Sequence, residues 1–157
     1  MTLGVNMPEE PLFIGFDHVA YATHDTDATV RLLELMGFQL KFYKEPLDRF
    51  GCYITKMLSG EDVAEIVEPR PGESSVVSRL LEGRDATVYH TCFRTNDLLA
   101  ATRELKRQGA LVITKPMRIP YPATPAHEGY LTSHMYHPQL GLFEITGPVR
   151  EEPTSQP

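Results

Sequence analysis

Hydrophobic and polar residues alternate in several short stretches of the chain, while in two other stretches apolar residues recur at helical spacing. Alternation is typical of a half-buried β-strand, and recurrence every three or four residues is typical of a helix. We therefore predict strands, rich in β-branched and aromatic residues, near 13–22, 38–43, 51–58, 62–67, 87–95, 110–114, 130–136 and 141–146.

Two main helices are predicted, one after the first strand and one after the fifth. Asp25 or Thr26 is placed to cap the first helix, and Asn96 or Asp97 is placed to cap the second. A short third helix is predicted at Ser75–Leu81, in the segment that joins the two halves of the chain.

The two halves repeat one another. The displacement that places His18 on His90, 90 − 18 = 72 residues, also matches an aromatic residue, an aspartate, an alanine, a leucine and a glycine in the same order. These further pairs are Tyr21 and Phe93, Asp25 and Asp97, Ala28 and Ala100, Leu33 and Leu105, and Gly37 and Gly109. The glycines follow the predicted helices, where left-handed caps are common.

The repeat predicts an α+β fold of paired βαβββ modules, with curved mixed or antiparallel sheets around a central site and the helices outside. The predicted boundaries are one domain at 13–147, divided into module one at 13–68, a linker at 69–86 and module two at 87–147, with tails at 1–12 and 148–157.

Four chemically active residues occupy equivalent places in the repeat: His18 and His90, and, after seven more residues in the second copy, Glu65 and Glu144. Alone, a strand histidine is usually structural and a strand glutamate usually faces solvent. Both glutamates, however, stand among apolar residues, where an unpaired buried carboxylate would be costly. A pseudo-twofold axis would bring all four together, and two imidazoles with two carboxylates suit divalent Zn, Co, Ni or Mn.

Four stretches around these residues resemble the vicinal oxygen chelate superfamily, whose members build paired βαβββ modules around a metal. They read FDHVAYA at 16–22, EIVEP at 65–69, YHTCFRTND at 89–97, and HP at 137–138 followed by GLFEI at 141–145. Within that superfamily, the chain is most similar to the methylmalonyl-CoA epimerases.

The resemblance implies a metal-dependent isomerase or lyase that removes a proton next to a carbonyl or thioester through a metal-stabilised enolate. It implies that His18, Glu65, His90 and Glu144 hold a divalent ion, with Co, Zn, Ni or Mn favoured over Fe. It also implies a metal-bound glutamate as the base, with Glu144 the first choice and Glu65 the second. The implied partner is a small molecule, such as an acyl-CoA.

The chain departs from the epimerase pattern in two places. Residues 118–129 contain three prolines where epimerases have a glycine-rich loop near the acyl-CoA site. Residues 51–58 lack the additional carboxylate that some epimerases pair with the last glutamate, and offer only Tyr53, Thr55 and Lys56. The second acid–base group is therefore left open.

Two other functions within the superfamily are alternatives. One is a small-molecule binding or resistance protein, which would sequester its ligand and would not need a complete ligand set. The other is an iron-dependent dioxygenase, but that chemistry favours two histidines and one carboxylate with open positions, so a fourth ligand at Glu65 argues against it.

Composition limits the remaining classes. The chain has 157 residues, 15 basic and 21 acidic side chains and a net charge of −6, so the basic surface typical of a nucleic-acid-binding protein is not expected. Two cysteines suit a reducing compartment. The first residues include Pro8, Glu9 and Glu10 where a signal peptide would be apolar. We expect a cytoplasmic homodimer that contacts neither nucleic acid nor membrane.

Overall fold

A computed structural model of the chain describes residues 10–119 and 130–150. Within these residues the strands are β1 (Phe13–Thr23), β2 (Gln39–Leu47), β3 (Cys52–Ser59), β4 (Asp62–Pro69), β5 (Ala86–Thr95), β6 (Leu111–Val112), β7 (Leu131–His137) and β8 (Gly141–Gly147). The α-helices are α1 (Thr26–Leu35) and α2 (Leu98–Arg107), and Asp48–Phe50 forms one 3-10 turn. The predicted α+β fold class is confirmed.

The described residues form two compact units. One is Asp17–Cys92, and the other combines residues 10–16, 93–119 and 130–150. Within the described residues, no helix is long and apolar enough to cross a membrane.

In the Asp17–Cys92 unit, β3 pairs with β2 and β4 in antiparallel fashion, and β1 pairs with β4 in parallel. The antiparallel register places Lys56 directly opposite Glu65. Helix α1 covers a core that includes Leu33, Met57 and Ile66. Because side chains of a strand alternate between faces, this packing also decides which polar residues of β3 and β4 share a face.

In the other unit, β7 pairs with β8 and with the short β6, both antiparallel. His134 lies directly opposite Glu144 in this register. Helix α2 packs on a core whose buried members are Leu98, Ala101, Ala110, Met135, Phe143 and Ile145.

Both helices begin and end as the sequence indicates. The carboxylate of Asp25 accepts a hydrogen bond from the backbone N–H of Ala28, and that of Asp97 accepts from Leu99 and Ala100, so each aspartate is the N-cap. Beyond the last turns, Gly37 and Gly109 have φ values of 93° and 96°. Such left-handed conformations cost little only for glycine.

Two predicted elements differ from the structure. Ser75–Leu81 forms consecutive turns instead of a helix, because its backbone hydrogen bonds do not form a continuous ladder. Ser78 N–H donates to the Ser75 carbonyl, three residues back, and Leu81 N–H donates to the Val77 carbonyl, four residues back. The strand predicted at 110–114 is only Leu111–Val112. It ends there because the N–H groups of Ile113 and Thr114 both donate to the carbonyl of His134, which breaks the ladder.

The parts of the predicted tails at 1–9 and 151–157, and most of the proline-rich segment, at 120–129, lie outside the described residues. The tails and the module boundaries stay predictions.

Substitution of Gly51 tests the local packing of the Asp17–Cys92 unit. Its φ is 61°, and an added Cβ would lie 2.2 Å from the carbonyl oxygen of Ser74. We expect Gly51→Ala to lower the free energy of unfolding by about 2–5 kcal/mol, which combines left-handed strain with overpacking. Urea unfolding measures this change.

Gly60→Ala is the matched control, because Gly60 has a φ of 60° but nothing within 4 Å of the added Cβ. Its free energy of unfolding should fall only by the cost of the left-handed strain, about 1–2 kcal/mol. Equal losses in the two variants would contradict the packing described for Gly51.

Candidate metal centre

Three of the four predicted ligands meet in the Asp17–Cys92 unit. The Nε2 atoms of His18 in β1 and His90 in β5 are 3.3 Å apart, and His18 Nε2 is 3.2 Å from Oε1 of Glu65 in β4. All three residues are buried, with at most 4% of their surface exposed. The three side chains can each offer one ligand atom to the same metal ion.

The spacing of these atoms fits a first-row divalent ion. Ligand distances of about 2.0–2.1 Å would separate neighbouring donor atoms by about 2.8–3.0 Å in octahedral geometry and about 3.3–3.4 Å in tetrahedral geometry. The two measured separations, 3.3 and 3.2 Å, lie between or at these values. Two imidazole nitrogens and a carboxylate oxygen are also the donors that Zn, Co, Ni and Mn accept.

Asp17 supports His18 from the other side of its ring. The carboxylate of Asp17 lies 2.7 Å from His18 Nδ1 and accepts its hydrogen. When the ring is neutral, this hydrogen bond leaves the lone pair of His18 on Nε2, the atom that faces His90 and Glu65. A carboxylate behind a ligating histidine is a common arrangement in metal sites.

Electrostatic interactions between His18 and Glu65 shift the pKa values of both side chains. Burial alone lowers the pKa of His18, but the Glu65 carboxylate, Cys92 and Asp17 raise it, and the net pKa is well above the ordinary value. Burial alone raises the pKa of Glu65, but His18 and Lys56 lower it, and the net pKa is well below the ordinary value. Without metal, His18 and Glu65 are therefore an ion pair, whose proton a metal ion would displace.

Lys56 is the cation on the other side of Glu65. Its Nζ lies 3.2 Å from Glu65 Oε2, and its side chain is 16% exposed. The two carboxylate oxygens of Glu65 thus have different neighbours, with His18 beside Oε1 and Lys56 beside Oε2.

Glu144, the fourth predicted ligand, is buried in the other unit and has its own polar neighbours. The hydroxyl of Thr132 donates a short hydrogen bond to Glu144 Oε1, and His134 Nε2 lies 3.5 Å from Glu144 Oε2. The Nδ1 of His134 lies 3.1 Å from the hydroxyl of Thr114. The place of Glu144 among the metal ligands stays a prediction from the repeat.

The sequence named Lys56 only as a candidate acid–base group, and it did not single out Asp17 or Thr132 as part of a site. Asp17 precedes His18 in a strand, and neighbouring strand residues usually face opposite sides, so their contact has no local signal. Lys56 and Thr132 contact the glutamates across strands, and their roles become visible only once the register is known.

Other histidine, cysteine, arginine and glutamate side chains of the chain have varied surroundings. His24 and Arg94 are exposed. His137 has a turn role, because its Nδ1 accepts from the N–H of Gln139. Cys92 is fully buried close to Asp17 and His18. His127 and Glu128 lie outside the described residues.

A family model described as the glyoxalase/bleomycin resistance protein/dioxygenase superfamily matches residues 17–126. No curated protein matches the chain. Among solved structures, methylmalonyl-CoA epimerase from Mycobacterium tuberculosis is 24% identical, with a TM-score of 0.70 and coverage of 92% of this chain and 95% of that one. At this identity the likeness shows the fold.

Two further structures are similar. A variant of the Streptomyces coelicolor methylmalonyl-CoA epimerase, in complex with 2-nitronate-propionyl-CoA, is 26% identical, with a TM-score of 0.66 and coverage of 90% of this chain and 99% of that one. A methylmalonyl-CoA epimerase in complex with methylmalonyl-CoA and NH4+ is 25% identical, with the same TM-score and the same coverage.

We expect His90→Ala to lose tight metal binding while the protein stays folded. The change removes one of two facing imidazole donors, and elemental analysis should fall from about one divalent ion per chain to almost none. Circular dichroism reports whether the fold is kept. His24→Ala, which removes an exposed histidine, is the control and should keep its metal. An unchanged metal content in His90→Ala would rule out the site.

Proposed function

The chain belongs to the glyoxalase/bleomycin resistance protein/dioxygenase superfamily, and we propose that it is a metal-dependent isomerase or lyase of the methylmalonyl-CoA epimerase type. The observation that carries the proposal is the buried convergence of His18, Glu65 and His90, with 3.3 Å between the two Nε2 atoms. Three solved structures of similar fold are methylmalonyl-CoA epimerases, and two of them hold acyl-CoA ligands. These ligands support a thioester as the substrate class.

In this proposal, His18, Glu65, His90 and Glu144 hold the ion. When bound, a divalent cation supplies positive charge that stabilises the negative charge developing on a carbonyl oxygen as the adjacent carbon loses its proton. Asp17 orients the His18 ring, and the apolar strands around the three buried ligands limit the access of water.

A carboxylate must take the proton from the substrate carbon. We assign this role to Glu144 first and to Glu65 second. The contacts support this order. The Lys56 ammonium beside Glu65 opposes proton uptake by that carboxylate, whereas Glu144 contacts the neutral hydroxyl of Thr132 and the His134 ring.

An epimerase also needs a group that returns a proton to the opposite side of the carbon. Of the three β3 candidates, Thr55 accepts a hydrogen bond from the backbone N–H of Lys44, and Tyr53 lies 5.6 Å from the guanidinium of Arg70. Lys56 contacts Glu65. Lys56 is therefore the β3 candidate beside the proposed ligands.

Deuterium incorporation tests the reaction and the base together. In heavy water, the metal-loaded protein should introduce deuterium at the α-carbon of methylmalonyl-CoA. We expect Glu144→Gln to slow this exchange at least about 100-fold, because the amide cannot take the proton. Glu65→Gln is the matched variant, and exchange lost there but kept in Glu144→Gln would reverse the assignment.

The same experiment separates the alternatives. Bound metal without exchange would keep metal-assisted chemistry but exclude methylmalonyl-CoA as the substrate. The proline-rich segment at 118–129, which replaces the glycine-rich loop of the epimerases, would then be the first place to look for a different substrate specificity. A protein that binds no metal would contradict the proposal and favour a small-molecule binding or resistance function.

We also propose a homodimer, on the ground that superfamily members often complete or bury their sheets between chains. Light scattering after size exclusion, at micromolar concentration, should give twice the chain mass of 17.7 kDa. The mass of a single chain would contradict this.

A further inference from the structure

The two glutamates of the repeat each lie opposite a basic residue on the neighbouring antiparallel strand. Lys56 pairs with Glu65, and His134 pairs with Glu144. In both pairs the basic nitrogen is near Oε2 of the glutamate, at 3.2 Å for Lys56 and 3.5 Å for His134. Each module therefore places a nitrogen beside one oxygen of its buried carboxylate.

In the first module this arrangement gives the two carboxylate oxygens of Glu65 different neighbours. Oε1 faces His18 Nε2, and Oε2 faces the Lys56 ammonium, each at 3.2 Å. Lys56 is itself held in place, because its Nζ lies 5.8 Å from the centre of the Phe42 ring, within cation–π range. An ammonium group has three donors and no lone pair, so it can hold Oε2 without itself binding a metal ion.

We propose that Lys56 is a positioning residue that holds Oε2 of Glu65, so that Glu65 binds a divalent ion through Oε1 alone. This inference rests on the proposed metal site. A carboxylate that is free to rotate can offer both oxygens to a metal or turn away from it. Holding one oxygen removes these alternatives and keeps a coordination position open for substrate.

Substitution of Lys56 tests this role without an assay of turnover. In Lys56→Met, a side chain of similar length lacks the ammonium, and we expect the dissociation constant for Co²⁺, measured by calorimetry, to rise about 10–100-fold. The visible spectrum of the Co²⁺-loaded protein should also change, because it reports the number and geometry of ligands. Lys56→Arg restores a cation that can contact Oε2 and should return both readings toward the original values.

Lys44→Met is the matched control. Lys44 Nζ lies 3.1 Å from Glu68 Oε1, so it also forms a partly buried ion pair with β4. Glu68 is three residues from Glu65 and therefore lies on the other face of the strand. The Glu68 carboxylate instead accepts the N–H of Thr26 in the first turn of α1. This variant should lose stability but keep the affinity and the spectrum of Co²⁺.

Three results would overturn the inference. The first is a Lys56→Met protein that binds Co²⁺ with unchanged affinity and spectrum. The second is the same change in Lys44→Met, which would mean a general effect of losing an ion pair. The third is an unaltered protein that does not bind Co²⁺, which would contradict the proposed function as well. Should Lys56→Met not fold, Lys56→Leu provides the same comparison, because leucine also lacks a donor for Oε2.

Discussion

The burial of the Glu65 carboxylate is the constraint on which the rest of the site depends. A carboxylate that is 3% exposed, in a strand whose neighbours Ala64 and Ile66 are fully buried, has lost its hydration and must recover that free energy from protein contacts. His18 and Lys56 provide them, one at each oxygen. A buried charge with partners on both sides is costly as a purely structural feature, since apolar residues of similar volume often stabilise a core as well or better. Retaining it is understandable if the same carboxylate binds a cation.

Strand register, side-chain alternation and helix capping together place the partners of the buried Glu65 carboxylate. The antiparallel register of β3 and β4 places Lys56 beside Glu65, and strand alternation turns His18, Ala20 and Ala22 of β1 toward the buried side. Helix α1, capped by Asp25, closes the apolar core next to the site. The second unit repeats the plan with Asp97 at the start of α2 and with His134 opposite Glu144. Each copy of the module therefore supplies a histidine, a glutamate and a basic residue opposite that glutamate.

Much of this could be predicted from the sequence, for reasons that particular residues make clear. Strand alternation, aspartate caps and glycines after the helices are local signals, and the repeat extended them to the pairing of His18 with His90, whose side chains do meet. The helix predicted at Ser75–Leu81 was wrong, because apolar spacing does not reveal that Val76 N–H bonds to the distant Phe50 carbonyl and that Ser78 N–H bonds only three residues back. Asp17 was missed because neighbouring strand residues usually face opposite sides, and the contact of Lys56 with Glu65 was not predicted because it depends on strand register, which no short pattern encodes.

We expect a metal ion to lie where the His18 and His90 side chains approach each other. Anomalous X-ray diffraction from crystals of the Co²⁺-loaded protein tests this most directly. We expect one anomalous peak about 2.0–2.1 Å from the Nε2 atoms of both histidines, with Glu65 as a further ligand. No peak there, with the two Nε2 atoms still at the 3.3 Å of a hydrogen bond, would contradict the account.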